Sequence, residues 1–252
     1  MQKYWVPAIE RAHVVLSTIM SSPSRLPLIE LSKQTGINKS SIFSLLATME
    51  SLGWVVKEEN GTYALGPQLG MISASYFRQF DLVTTFKNEA KKVADLLGET
   101  IQLGRLNGQN VLYLAQQTSK SPMRLSSSPG EQLPAYATAL GKALLSSHSY
   151  SELISVYPEE QLKPLTPRTI RTREHLWEQL EHIRDQGYAI DEQEAVEGFF
   201  CVAAPIKNHE NRIIAAVSVT MLESSWSQKF SEAAKRIVEL ASRLSRYSGL
   251  PS

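Results

Sequence analysis

Covalent and metal chemistry have little to work with in this sequence. Its 252 residues contain one cysteine, Cys201, so neither an internal disulfide nor a cysteine-based zinc cluster can form within one chain. The histidines stand scattered at positions 13, 148, 175, 182 and 209, and no pair has the helix or hairpin spacing of a metal site. There is no Gly-x-Ser-x-Gly elbow and no cysteine flanked by activating residues, so an enzyme is not expected, and no cofactor or metal. Long apolar runs are missing too: nothing approaches a membrane span, and residues 1–9 hold no signal-peptide core. A cytoplasmic protein without a membrane partner is the expectation. Excess charge of one sign is also absent, the net charge being +1, and residues 1–66 set six lysines and arginines against five glutamates. Any nucleic-acid footprint must therefore be read from pattern.

What is present suits a folded chain of more than one core. At 42% hydrophobic and 20% charged residues the composition is that of a globular protein, and the length fits a small module plus a larger domain. Ile9, Ala12, Leu16 and Ile19 keep the three-and-four spacing of a first helix, ended by Ser21-Ser22-Pro23. After Pro27, residues 28–35 place Leu28 and Leu31 on one face of a second helix. Gly36-Ile37-Asn38 then supplies a tight turn, with Asn38 as N-cap of a third helix over 39–52. Ile42, Leu45, Leu46, Met49 and Leu52 mark its buried face.

The opposite face of that third helix carries Ser40, Ser44, Ala47 and Ser51, flanked by Lys39, Ser41, Phe43 and Thr48. A small, hydroxyl-rich face fits deep in a DNA major groove, where hydroxyls bond phosphates or base edges. Gly53 stops the helix, and residues 54–58 and 62–65 read as a hairpin across Glu59-Asn60-Gly61. Three helices with a tight turn and a terminal hairpin form a winged helix-turn-helix, whose wing adds Lys57 and Asn60 to the DNA-contacting set. A serine-rich face is also what an ordinary solvated or protein-binding helix shows, and the pattern by itself leaves these readings open.

Residues 68–97 are free of helix breakers after Gly70, and Phe77, Phe80, Val83, Phe86, Ala90, Val93 and Leu97 repeat at helical spacing. One or two helices are expected, their apolar face serving either self-association or packing on the chain's own C-terminal part. Residues 100–106 and 110–116 form a hairpin, and helical patterns follow at 139–146 and 173–186. Two apolar strands, 199–206 and 212–221, turn at 208–211, and a last amphipathic helix carries Phe230, Ile237, Leu240 and Leu244. The expected class is α+β with a central antiparallel sheet, divided as 1–66, a linker region 67–97, and 98–252.

A small-molecule site has a physical rationale. Thr138 caps a helix beginning at Ala139-Leu140-Gly141, whose first amides suit a carboxylate. Gly141-Lys142 lacks the glycine-rich lead of a nucleotide phosphate loop, since Tyr136 and Ala143 occupy its required positions. Phe199 and Cys201 share one strand face, and Ser218 and Thr220 share another, where polar residues alternate with Val217 and Val219. A lone strand cysteine is most simply a core residue, and Asp191, Glu192, Glu194 and Glu197 are most simply a solvated acidic loop.

The ordered motifs resemble the IclR family of bacterial regulators along nearly the whole chain. They run from Ile9-Glu10-Arg11-Ala12 through Leu31-Ser32-Lys33-Gln34-Thr35-Gly36-Ile37, Leu52-Gly53-Trp54 and Tyr63-Ala64-Leu65-Gly66. They continue through Ala137-Thr138-Ala139-Leu140-Gly141-Lys142-Ala143-Leu144-Leu145, Gly187-Tyr188-Ala189-Ile190-Asp191, Cys201-Val202-Ala203-Ala204-Pro205-Ile206 and Ala215-Ala216-Val217-Ser218-Val219. The resemblance implies a GAF-like effector domain, a double-stranded operator and a dimer or dimer of dimers. It also implies a small organic carboxylate effector held by Asp191, Phe199, Cys201, Ser218 and Thr220 with an apolar wall of Met123, Leu125 and Leu133. One departure stands out: Ser44 occupies a position where the family often has arginine.

Overall fold

A computed structural model describes residues 6–22, 26–79, 81–118 and 128–250. The chain divides into two compact units, residues 1–79 and 80–252.

The first unit begins with α1 (Pro7–Ser21), whose buried residues are Ala12, Val15 and Ile19. Ile9, expected on that face, is instead largely exposed, because Val15 rather than Ile9 completes the stripe facing the other helices. A two-residue strand β1 (Leu26–Pro27) precedes α2 (Leu28–Thr35). Gly36 ends α2 in the left-handed conformation, φ 70°, which a side chain would strain. Helix α3 (Lys39–Ser51) follows, with Asn38 as N-cap accepting from the Ser41 N–H at 2.9 Å. Ile42, Leu46 and Met49 are buried, whereas Leu52 is exposed because the helix stops at Ser51 and the chain turns away at Gly53. The wing is β2 (Val55–Lys57) and β3 (Thr62–Leu65), and β1 adds to it through Leu26 opposite Tyr63. Helix α4 (Pro67–Gln79) closes the unit.

In the second unit α5 (Leu82–Leu97) starts at Asp81, whose carboxylate accepts from the Val83 N–H and the Thr84 hydroxyl, a cap worth about 1 kcal/mol. Then come β4 (Thr100–Asn107), β5 (Asn110–Gln117), β6 (Gln132–Pro134), a 3-10 turn at Ala135–Ala137, and α6 (Ala139–Leu145). They are followed by α7 (Tyr150–Val156), α8 (Arg173–Gln186), β7 (Ala189–Glu192), β8 (Phe199–Lys207), β9 (Ile213–Leu222) and α9 (Glu223–Tyr247). The six strands form one antiparallel sheet in the order β6-β5-β4-β9-β8-β7.

Strand alternation gives this sheet two buried faces. One holds Ile101, Leu103, Val202, Ala204, Val217 and Val219 against Phe86, Val93 and Leu97 of α5 and Ile237, Leu240 and Leu244 of α9. Each large side chain buried there contributes about 1.5–3 kcal/mol. Helix α5 is thus part of the second unit's core, which accounts for the breadth of its apolar face. The other face holds Val111, Tyr113, Cys201, Ala203 and Ala216 under Leu140, Ala143 and Leu144 of α6, with Leu176, Leu180 and Ile183 of α8 in the same cluster.

Candidate functional site

Helix α3 presents Lys39, Ser40, Phe43, Ser44 and Thr48 to solvent, with Ser41 half-buried. Its hydroxyls are satisfied within the helix: Ser44 donates to the Ser40 carbonyl at 3.1 Å, Thr48 to the Ser44 carbonyl at 2.9 Å, and Ser40 to Asn38 Oδ1 at 2.9 Å. Each hydroxyl oxygen keeps lone pairs that can accept, and a rotation about the Cβ–Oγ bond redirects its proton to another partner. On the wing Lys57 and Asn60 are exposed. The Asn60 carbonyl oxygen accepts from the Thr62 N–H and hydroxyl, so its amide group is the part left for a partner. A shallow cleft of about 500 Å3 runs between α1 and α3 and brings Arg11 to the same surface as Ser40, Ser44 and Thr48. Arg11 gives no sign of this role in the sequence, because its approach to Ser44 depends on how two helices cross.

The second unit places its polar residues on the α6-covered face of the sheet. Asp191 pairs with Cys201, Cys201 with Thr220 and Thr220 with Thr100 across four strands, and Ala203, Ser218 and Gln102 form the next row. Gln102, 2% exposed, accepts from Ser218 at 3.2 Å and Thr220 at 2.9 Å. With the Thr220 proton directed to Gln102, the Cys201 thiol donates to Thr220 Oγ1 at 3.3 Å. Burial and then the nearby Asp191 charge push the Cys201 thiol well up, so it stays a neutral group lining the face. Tyr113, on the same face, is raised for the same leading cause.

Asp191 and Glu194 are buried, in contrast to the solvated loop expected of them, while Glu192 and Glu197 are exposed as expected. The physical reason is Lys142. Alone among apolar residues in α6, it is 1% exposed, and its ammonium donates to Glu194 Oε1 at 2.5 Å and Gln179 Oε1 at 2.9 Å. A buried cation needs a counter-charge, and Glu194 supplies it. Thr169 and Thr166 bond the Glu194 carbonyl, and Asp191 Oδ1 accepts the Glu194 N–H at 2.6 Å. Burial pushes the Asp191 carboxyl up to about 7, against the opposing pull of the Lys142 charge and the Glu194 N–H. Lys142, Glu194 and Gln102 were missed from sequence. A single lysine inside an apolar helix was the available signal for the first.

Of the remaining expected residues, Ala139, Leu140 and Gly141 are buried at the start of α6. The Gly141 N–H is already donated to Thr138 Oγ1 at 3.0 Å. A Cβ on Gly141 would stand 2.1 Å from the Ala135 carbonyl oxygen, so this glycine serves the packing of α6 on the 3-10 turn. Leu133 is half-buried at the cluster's edge, and Phe199 is half-buried at the start of β8. Met123 and Leu125 lie outside the described residues. Among the described residues no group of three histidine, cysteine or acidic side chains forms a metal set, and no helix is long and apolar enough to cross a membrane.

Two family models match the chain: the IclR helix-turn-helix domain over residues 8–59, and the bacterial transcriptional regulator IclR C-terminal over residues 74–246. The HTH-type transcriptional regulator XynR of Escherichia coli is 32% identical over 249 residues, covering 98% of this chain and 99% of that protein. The HTH-type transcriptional regulator KdgR of the same species is 31% identical over 203 residues, covering 80% and 77%. Among solved structures, the Agobacterium tumefaciens repressor BlcR superposes with a TM-score of 0.83 at 30% identity, covering 98% of this chain and 99% of that one.

Proposed function

As a member of the IclR family, this chain is a DNA-binding transcription regulator rather than an enzyme, and we propose that a small organic carboxylate bound in the second unit controls its hold on a double-stranded operator. The observation that carries the effector half is the two adjacent rows of buried polar side chains, Asp191, Cys201 and Thr220 in one and Ser218 and Gln102 in the next, on a sheet face whose other residues are mostly apolar. Hydroxyls and a near-neutral carboxyl gathered under α6 offer directional bonds to a small polar ligand, with Leu133, Leu140 and Phe199 as apolar surround. Ala139 and Leu140 are the amides left for the ligand's charge once Gly141 is capped by Thr138.

The operator half rests on α3 with Lys39, Ser40, Ser41, Phe43, Ser44 and Thr48, on Lys57 and Asn60 of the wing, and on Arg11. The protein acts in the cytoplasm as a dimer or dimer of dimers, so that two recognition helices meet successive turns of one duplex. A thermal-shift screen of keto, hydroxy and aromatic carboxylates on the whole chain, followed by gel shifts on its own upstream DNA, tests the reading. One acid class should raise Tm by several degrees and alter the DNA complex. No shift with any acid at millimolar concentration rejects the effector assignment.

A further inference from the structure

A second cavity of about 460 Å3 lies between α8, β7 and the segment 166–170, within the size range of small-ligand sites. Its buried end is Lys142 and Glu194. The Lys142 ammonium spends two of its three protons, on Gln179 and Glu194, and Glu194 Oε2, although buried, has no hydrogen-bond partner among the described residues. The outer part carries the exposed guanidinium of Arg168, paired with no carboxylate among the described residues, the imidazoles of His175 and His182, and one acid, Glu192.

The buried end selects by sign. An ammonium there would press on Lys142 and a carboxylate would press on Glu194, whereas a hydroxyl accepts the third lysine proton and donates its own to Glu194 Oε2. At the rim Arg168 favours one carboxylate, and Glu192 disfavours a second negative group. We propose that this cleft is a ligand site separate from the polar face of the sheet, and that it takes a small hydroxylated monocarboxylate, hydroxyl inward and carboxylate against Arg168. The assignment stands independently of the effector reading above, since it shares no ligand-facing residue with it.

Calorimetry on the full-length chain tests this with three six-carbon probes: gluconate, sorbitol, which lacks the carboxylate, and hexanoate, which lacks the hydroxyls. Gluconate should bind, with sorbitol and hexanoate each weaker by about tenfold or more. Arg168→Ala, at an exposed position, should weaken gluconate by about tenfold. Thr220→Val keeps the shape of the sheet face while removing its hydroxyl, and it should leave gluconate affinity unchanged. The proposal is overturned by any of four results: no gluconate binding up to about 10 mM, equal binding of either comparator, undiminished binding by Arg168→Ala, or loss of binding in Thr220→Val.

Discussion

Asp191 joins two tasks that pull its proton in opposite directions. It holds the Glu194 amide, which favours the charged carboxylate, yet it is buried beside a thiol and a phenol, which favours the neutral form, and burial prevails with a carboxyl raised to about 7. For an acid whose folded pKa lies above its ordinary value of 3.8, stability falls as pH rises through the interval between them and levels off above about 7. Asp191→Asn retains the acceptor for the Glu194 N–H and removes the titration. Melting curves between pH 5 and 8 should show the wild type losing several degrees relative to this variant. A pH-independent difference refutes the buried-acid account. The same proton matters to a carboxylate effector, which a neutral Asp191 admits and a charged one repels. Effector affinity should therefore fall by about tenfold per pH unit above 7 in the wild type and stay level in Asp191→Asn.

Ser218 and Cys201 lie on the same sheet face but in different circumstances. Ser218 is 1% exposed with its hydroxyl on Gln102, so Ser218→Leu pushes a bulky group into the proposed effector space. Cys201→Ser changes little volume and keeps a donor for Thr220. Calorimetry with the acid found by the screen should show binding abolished by Ser218→Leu and reduced only a few-fold by Cys201→Ser. Full-strength binding by a folded Ser218→Leu protein moves the effector elsewhere.

At the scale of elements, α3 carries its own N-cap, its own hydroxyl bonds and no arginine, so the positive charge on this surface comes from Lys39 at its first residue and Arg11 on α1. Replacing either by alanine removes one phosphate partner, which should lower DNA affinity uniformly across sequences and reduce the salt slope by about one unit. Ser44→Glu sets a charge against the groove and should weaken binding more strongly. All three are exposed and none belongs to the buried stripe of Ile42, Leu46 and Met49, so circular dichroism should be unchanged. Wild-type DNA affinity in Ser44→Glu would show that this face meets something other than DNA. The Ser44 departure from the family pattern is offset locally in this reading, with Arg11 standing beside the position where arginine is absent.

For the molecule as a whole, the first unit leaves an apolar groove of about 470 Å3 bordered by Ile9, Leu16, Leu52, Trp54, Leu69 and Ile72. Ile9, Leu52 and Ile72 are each more than half exposed, and this surface is where the proposed dimer is tested. Ile72→Asp should shift sedimentation toward a smaller species and weaken operator binding by a factor of ten or more, about the loss of one half-site's help. An unaltered oligomer places the interface elsewhere. The second unit, with α5 and α9 in its own core, gives residues 80–252 the means to fold alone.

What is local can be read along the chain. The Asn38 cap, the left-handed stops at Gly36 and Gly53, the Asn60-Gly61 wing turn and the strand alternation around Cys201 and Ser218 each depend on neighbours within a few residues, whose φ/ψ and side-chain preferences decide the outcome. Ordered motifs then carried the family. Tertiary structure decided whatever needs register between distant segments. Leu26 joining the wing opposite Tyr63, Gln102 bridging Ser218 and Thr220 from more than a hundred residues away, and Arg11 arriving beside Ser44 leave no periodic trace in the chain. The same holds for the acidic loop: Glu192 and Glu197 stay in water while Glu194 is drawn inside, because a lysine buried 52 positions earlier leaves a charge that burial makes costly until a carboxylate meets it.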